Sequence, residues 1–191
     1  MTNRSGIDEE PGGVDEGFPA YTYIPSRGLP HPRSSPLGHS RNVPGPVARP
    51  IVADRWNDSP NFMRACRLFN AGYYWEAHEE WEANWHAQGR TGPVAEVVKG
   101  LIKLAAAGVK VREGRPIGVA SHARRAADSF RDARVAVGPT LLGLDLDRLE
   151  LLARDLADHP IADEPGRDGL ARPVFQFRIE PGSLARQPGE K

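Results

Sequence analysis

Residues 93–112 read PVAEVVKGLIKLAAAGVKVR, and this stretch decides the fold. At about 100° per residue, Glu96, Lys99, Lys103 and Lys110 share one narrow stripe. Val94, Val97, Val98, Leu101, Ile102, Leu104, Val109 and the alanines cover the remaining circumference. A helix that is apolar nearly all round is the central element of a bundle. Gly100, Ala105, Ala106, Ala107 and Gly108 let neighbouring elements come close. The nearly apolar part, around residues 100–111, is shorter than the ~20 residues a spanning helix needs. Lys103 and Lys110 interrupt it, so no membrane partner is expected.

Helix signals extend on either side. Asp58-Ser59-Pro60 supplies a cap followed by proline at a first helical position. The helix it starts runs to Asn70, where Gly72 breaks the pattern. A second helix is expected over about Tyr73–Gln88, ending at Gly89. Thr91 caps the third, with Pro93 in its first turn. Gly114-Arg115-Pro116 opens a fourth, over about 116–137, with Ala120, Ala123, Ala127 and Phe130 inward and Arg124, Arg125, Asp128, Arg131 and Asp132 outward. Gly138-Pro139 closes it, and Asp145 or Asp147 begins a fifth that ends before Pro160. The fold class is therefore all-α, a compact bundle of four to five helices at residues 55–160. Residues 161–191 form an irregular tail. Its run 174–179, VFQFRI, alternates with period two and reads as a short extended segment packed on the bundle.

Residues 1–54 are an arm of another character. Nine of the 18 prolines fall in residues 1–50. Residues 1–20 are expected to be disordered. Residues 21–50 carry Tyr21, Tyr23, Ile24, Leu29, Leu37, His31 and His39 among stiffening prolines, and are read either as an extended segment docked on the core or as a solvated linker. With 25 Lys+Arg against 25 Asp+Glu, no overall field draws the chain to nucleic acid. The single cysteine, Cys66, lies in a helical pattern and reads as a core residue. The start, MTNRSGIDEE, has no apolar h-region, so a cytoplasmic location is expected.

Chemistry concentrates on the second helix, Tyr74-Trp75-Glu76-Ala77-His78-Glu79-Glu80-Trp81-Glu82-Ala83-Asn84-Trp85-His86. On the wheel, Tyr74, Ala77, His78, Trp81 and Trp85 point inward, Glu82 sits at the edge of that stripe, and Glu76 and Glu80 point to solvent. A buried imidazole needs partners for both nitrogens, and a buried carboxylate needs a cation or several donors. One reading is a polar network or pocket of His78, Glu79, Glu82 and Trp85, with Lys99 or Lys103 pairing to Glu79 or Glu82. Another takes His78 and Glu82, at i and i+4, as ligands of a divalent metal. His86 lies about 12 Å further along the helix, so His122, or His31 and His39 of the arm, would have to complete such a site.

These residues also carry a resemblance. Phe69-x-x-Gly72-x-Tyr74-x-x-Ala77-His78-Glu79-x-x-Glu82-x-x-Trp85 is followed by the block Lys99–Ala107 and by Arg112-x-Gly114-x-x-x-Gly118. In all three spacings the chain resembles the bacterial family named domain of unknown function 309, over about residues 60–130. Tyr23-Ile24-Pro25, Pro30-His31-Pro32 and Pro36-x-Gly38-His39-Ser40 resemble the leader of some members. The resemblance implies an all-helical bundle with the His-Glu-x-x-Glu-x-x-Trp block as its hallmark, and no particular reaction. Two function classes follow. The first is a non-catalytic binding or interaction module, with a pocket beside the second helix for a small molecule or protein partner. The alternative is a hydrolase-like enzyme, metal-assisted or not, using His78, Glu79 and Glu82.

Overall fold

The computed structural model describes residues 17–25, 27–161 and 169–182. Five α-helices follow a 3₁₀ segment at Ala53–Asp58: α1 Pro60–Asn70, α2 Tyr74–Ala87, α3 Pro93–Arg112, α4 Pro116–Val137 and α5 Leu146–Asp158. Three of them, α1, α3 and α4, begin with proline, where the missing N–H costs nothing. Asp145 caps α5, its carboxylate accepting from the Arg148 N–H at 2.9 Å. Gly92 rather than Thr91 takes the cap position of α3. The helices pack in chain order, α1 on α2, α2 on α3, α3 on α4 and α4 on α5.

The all-round apolarity of α3 has the expected result. Thirteen of its 20 residues are buried, more than on any other helix. Its glycines are contact points. A Cβ on Gly100 would lie 2.5 Å from the Phe130 ring of α4, and one on Gly108 would lie 2.5 Å from the Tyr74 ring of α2. On α4, Ala123, Ala127 and Phe130 are buried as expected, joined by Val119, Ala126 and Ala133, while Ala120 stays partly open. No helix among the described residues is long and apolar enough to cross a membrane.

Between α4 and α5 lies a hairpin that the sequence reading left unassigned, β1 Thr140–Leu141 paired antiparallel with β2 Leu144–Asp145. Leu142 and Gly143 both have positive φ, 55° and 67°, the backbone of a type I′ turn. The tail follows the period-two reading in its burial, with Phe175 and Ile179 inside and Gln176 and Arg178 outside. Its hydrogen-bond partners are helix side chains. The Tyr74 hydroxyl accepts from the Val174 N–H at 2.8 Å. The Asn70 amide donates to the Ile179 carbonyl at 2.9 Å and accepts from its N–H at 2.8 Å.

The arm lies along α2. Thr22 and Ile24 are buried at 2% exposure each, and the Thr22 N–H donates to the Gly169 carbonyl of the tail at 2.8 Å. Arg27 donates to the Glu113 carbonyl just past the C-terminus of α3, at 3.0 Å, where a cation is favourably placed. Leu37, read from sequence as an anchor, is exposed. Of residues 1–20, expected to be disordered, 1–16 lie outside the described residues, as do parts of the tail; in 17–20 the Phe18 ring meets Tyr73 edge-on at 5.2 Å and the Gly17 carbonyl accepts from Arg64 at 2.8 Å.

Candidate functional site

The helix carrying the acidic run is covered on more sides than a single wheel allows. Tyr74, Ala77 and Trp81 face the core, but Glu76 is buried as well, which corrects its expected exposure. The face of α2 assigned to solvent is the face under the arm. One Glu76 carboxylate oxygen accepts from the Thr22 hydroxyl at 2.8 Å. The other accepts from the Tyr23 N–H at 2.9 Å and lies 3.3 Å from His39 Nε2. These donors answer the desolvation of a buried carboxylate. Glu80 is likewise mostly covered, bonded to Asn61 at 2.9 Å and Arg64 at 3.1 Å on α1. Conversely, His78 retains 27% side-chain exposure, and Glu82 is also half-buried.

Between the arm and α2 opens a pocket of about 410 Å³. Its apolar wall comes from Trp75, Leu68 and the arm prolines, and its polar wall from His31, Arg33, His39, Glu76 and Glu79. The aromatic wall is continuous: Trp75 meets Tyr23 edge-on at 4.9 Å and His31 at 5.9 Å, and stacks on His78 at 6.2 Å. Arg33 Nε sits 3.6 Å from Glu79 Oε2. The His78 ring beside it, together with Arg33, holds the Glu79 carboxyl below the ordinary carboxylate range, against the opposing effect of its burial.

On the adjoining side of α2, donor atoms of His78, Glu79 and Glu82 lie within 4.8 Å of one another. It is the one group of three or more such ligand types that close among the described residues. The arm histidines do not join it. His39 is taken up by Glu76, and His31 Nδ1 accepts from the Arg33 and Ser34 N–H groups at 3.3 Å. Both line the pocket instead. The expected lysine partners are also elsewhere. Lys99 pairs with Glu96 one turn back on its own helix at 3.1 Å, and Lys103 makes no ion pair among the described residues. A partner three residues away on the same helix face is reached without ordering a second element. Lys103 acts instead on His122 of α4. Burial first, then the charges of Lys103, Lys110, Arg125 and His78, push that imidazole down to about 4. Trp85 is half-buried under Arg90, at 5.5 Å from its ring, one turn beyond Glu82 and apart from the cluster.

Residues 62–121 match the family described as domain of unknown function, DUF309. Over that span, which is less than half of the chain, it is similar to the DUF309 family. The match covers α1 to α3 and the first turn of α4, and so contains His78, Glu79 and Glu82, while the arm with His31, Arg33 and His39 lies outside it. Neither a curated protein nor a solved structure matches the chain. The DUF309 portion thus supplies one wall of the pocket and the arm the other. Thr22, Tyr23, Arg33 and Glu76 were missed as site residues. The usable signal was the run Tyr21-Thr22-Tyr23-Ile24, whose alternation puts Thr22 and Ile24 inward with the tyrosines more open.

Proposed function

We propose that this protein is a non-catalytic binding module, and that the pocket between its arm and α2 receives a small amphipathic molecule. The observation that carries the reading is the clamp of Thr22, Tyr23 and His39 on Glu76. It holds the arm wall in place before any ligand arrives, so that binding does not have to order it. A volume of about 410 Å³ lies in the range used for small molecules, and an apolar wall with a few convergent polar groups is their usual lining. A planar apolar group packs on Trp75, and its polar edge meets Arg33 and His39. The pocket carboxylates are already engaged, Glu76 by the arm and Glu79 by Arg33. That suits orienting a ligand better than exchanging protons with it. The balanced charge of the chain supports neither nucleic acid nor a membrane surface as partner, and a cytoplasmic location fits the same picture.

The test is a thermal-shift screen of the full chain against aromatic carboxylates, amines and zwitterions, repeated on Trp75→Ala. The binding reading expects saturable stabilisation by one class and its loss in the variant. Stabilisation by none, or stabilisation that survives the substitution, removes the pocket as the site. A second reading, a hydrolase-like enzyme working through His78, Glu79 and Glu82, is favoured by one observation, the 4.8 Å grouping of their donor atoms. Turnover of simple esters or phosphoesters that is lost in Glu82→Gln would support it over the first.

A further inference from the structure

We propose that the chain pairs with a second copy of itself through the outer face of α4, the two helices lying antiparallel about a two-fold axis. No residue of α4 lines the pocket under the arm, so the inference stands or falls independently of ligand binding there. Three features of the structure carry it.

The first is an outward seam. Ile117, Ser121, Arg124, Asp128, Arg131 and Val135 follow one another at intervals of four, three, four, three and four residues. This is the spacing of a helix that packs along another helix, and at about 100° per residue all six lie within about 40° of one direction. Val119, Ala123, Ala126, Phe130 and Ala133 are buried on the opposite side, so the seam faces away from the bundle. Ile117 and Val135, at its two ends, are 87% and 75% exposed. Among the described residues no large apolar side chain on a helix is more exposed.

The second is self-complementarity. A two-fold axis at the level of Ala126 sets Ile117 opposite Val135 of the second copy, Ser121 opposite Arg131, and Arg124 opposite Asp128. In an isologous interface each of these contacts occurs twice. Apolar groups then meet at both ends and opposite charges meet in the middle. A parallel pairing would instead set Arg124 against Arg124 and Asp128 against Asp128, and like charges in contact oppose association. The order of residues along the seam therefore selects the antiparallel register.

The third is charge left over on that seam. Arg124 makes no ion pair among the described residues. Asp128 engages Arg131 through Oδ1 at 2.9 Å and keeps 49% of its side chain exposed, which leaves Oδ2 for a second arginine. At the Val135 end, Arg134 reaches Asp147 and Glu150, each at 3.1 Å, and so holds the start of α5 alongside. Leu151, next after Glu150, is 68% exposed and widens the apolar end that Ile117 of the second copy covers. A face about 33 Å long and about 10 Å wide is smaller than the ~800 Å² per partner of a standard interface. A reversible dimer with a dissociation constant of about 1–100 µM is the expectation.

The experiment is sedimentation velocity of the full chain from about 1 to 500 µM, a range that brackets the expected constant. Monomer should give way to dimer as concentration rises. Arg124→Asp and Asp128→Arg each set like charges against one another at both symmetric contacts, and each should weaken the dimer about 10-fold or more. The double variant exchanges the two charges and should recover most of the affinity. Because it carries both substitutions, its recovery separates lost pairing from lost folding. A second readout fixes the register. Chains with Ile117→Cys mixed with chains with Val135→Cys should cross-link to each other under mild oxidation faster than either variant links to itself, while the native Cys66 stays buried. Monomer throughout the range, a dimer indifferent to both single reversals, a loss that the double variant does not relieve, or preferential self-linking of Ile117→Cys overturns the proposal.

Discussion

Replacing Glu76 by alanine should release the arm. The substitution removes acceptors from two donors, the Thr22 hydroxyl at 2.8 Å and the Tyr23 N–H at 2.9 Å. Hydrogen bonds to charged groups contribute about 1.5–3 kcal/mol each, so the gross loss is about 3–6 kcal/mol. Two effects reduce it. The buried carboxylate no longer has to be kept out of water, and an arm that detaches rehydrates Thr22 and Tyr23. A net cost of about 1–3 kcal/mol remains. At about 2–4 °C per kcal/mol for a chain of this size, the melting temperature should fall by about 2–12 °C. Limited trypsin digestion gives the spatial readout, because Arg27, Arg33 and Arg41 lie in the arm and become cleavable when it lifts. Thr22→Val should act in the same direction with smaller effect. The double variant should cost less than the sum, since both changes break one clamp. A melting shift under about 1 °C together with unchanged arm cleavage would show that Glu76 does not hold the arm, and the preorganised pocket would lose its basis.

Other outcomes follow from the packing. Gly108→Ala presses a methyl group into the Tyr74 ring and should destabilise by about 1–3 kcal/mol in denaturant melts. Gly118→Ala meets only the flexible Lys110 side chain at 3.0 Å, so it should be neutral or stabilising by up to about 1 kcal/mol. Asn70→Ala removes both bonds to Ile179, and should cost about 1–3 kcal/mol and raise hydrogen exchange at Ile179 without affecting residues 22–24. The Cys66 thiol, pushed well up by burial, should react with a disulfide reagent at pH 8 only as fast as the native bundle opens.

The helices were legible because their signals are local. Proline at the first turns, glycine at the breaks and the nearly continuous apolarity of α3 are read within one window. The acid face of α2 was misassigned for the opposite reason. A wheel separates inside from outside for one buried face, and α2 is covered by α1, α3 and the arm, so Glu76 points into a contact made by residues more than fifty positions away. The lysine partners failed for a related reason, since Lys99 had an acid within its own helix at Glu96. The hairpin at 140–145 was hidden because Leu142-Gly143 occupies the turn in place of the Asn-Gly or Asp-Gly that announces one. The tail's alternation was visible, but not that Tyr74 and Asn70 would bond it where a neighbouring strand usually does.

Whether arm and α2 jointly form a binding pocket is decided by a side-chain NMR titration of the full chain. The titrant is the small molecule that stabilises it most. Signals of His39 and Arg33 on the arm and of Trp75 on α2 should shift together and fit a single dissociation constant. Shifts confined to one wall, or to residues outside the pocket, would contradict it.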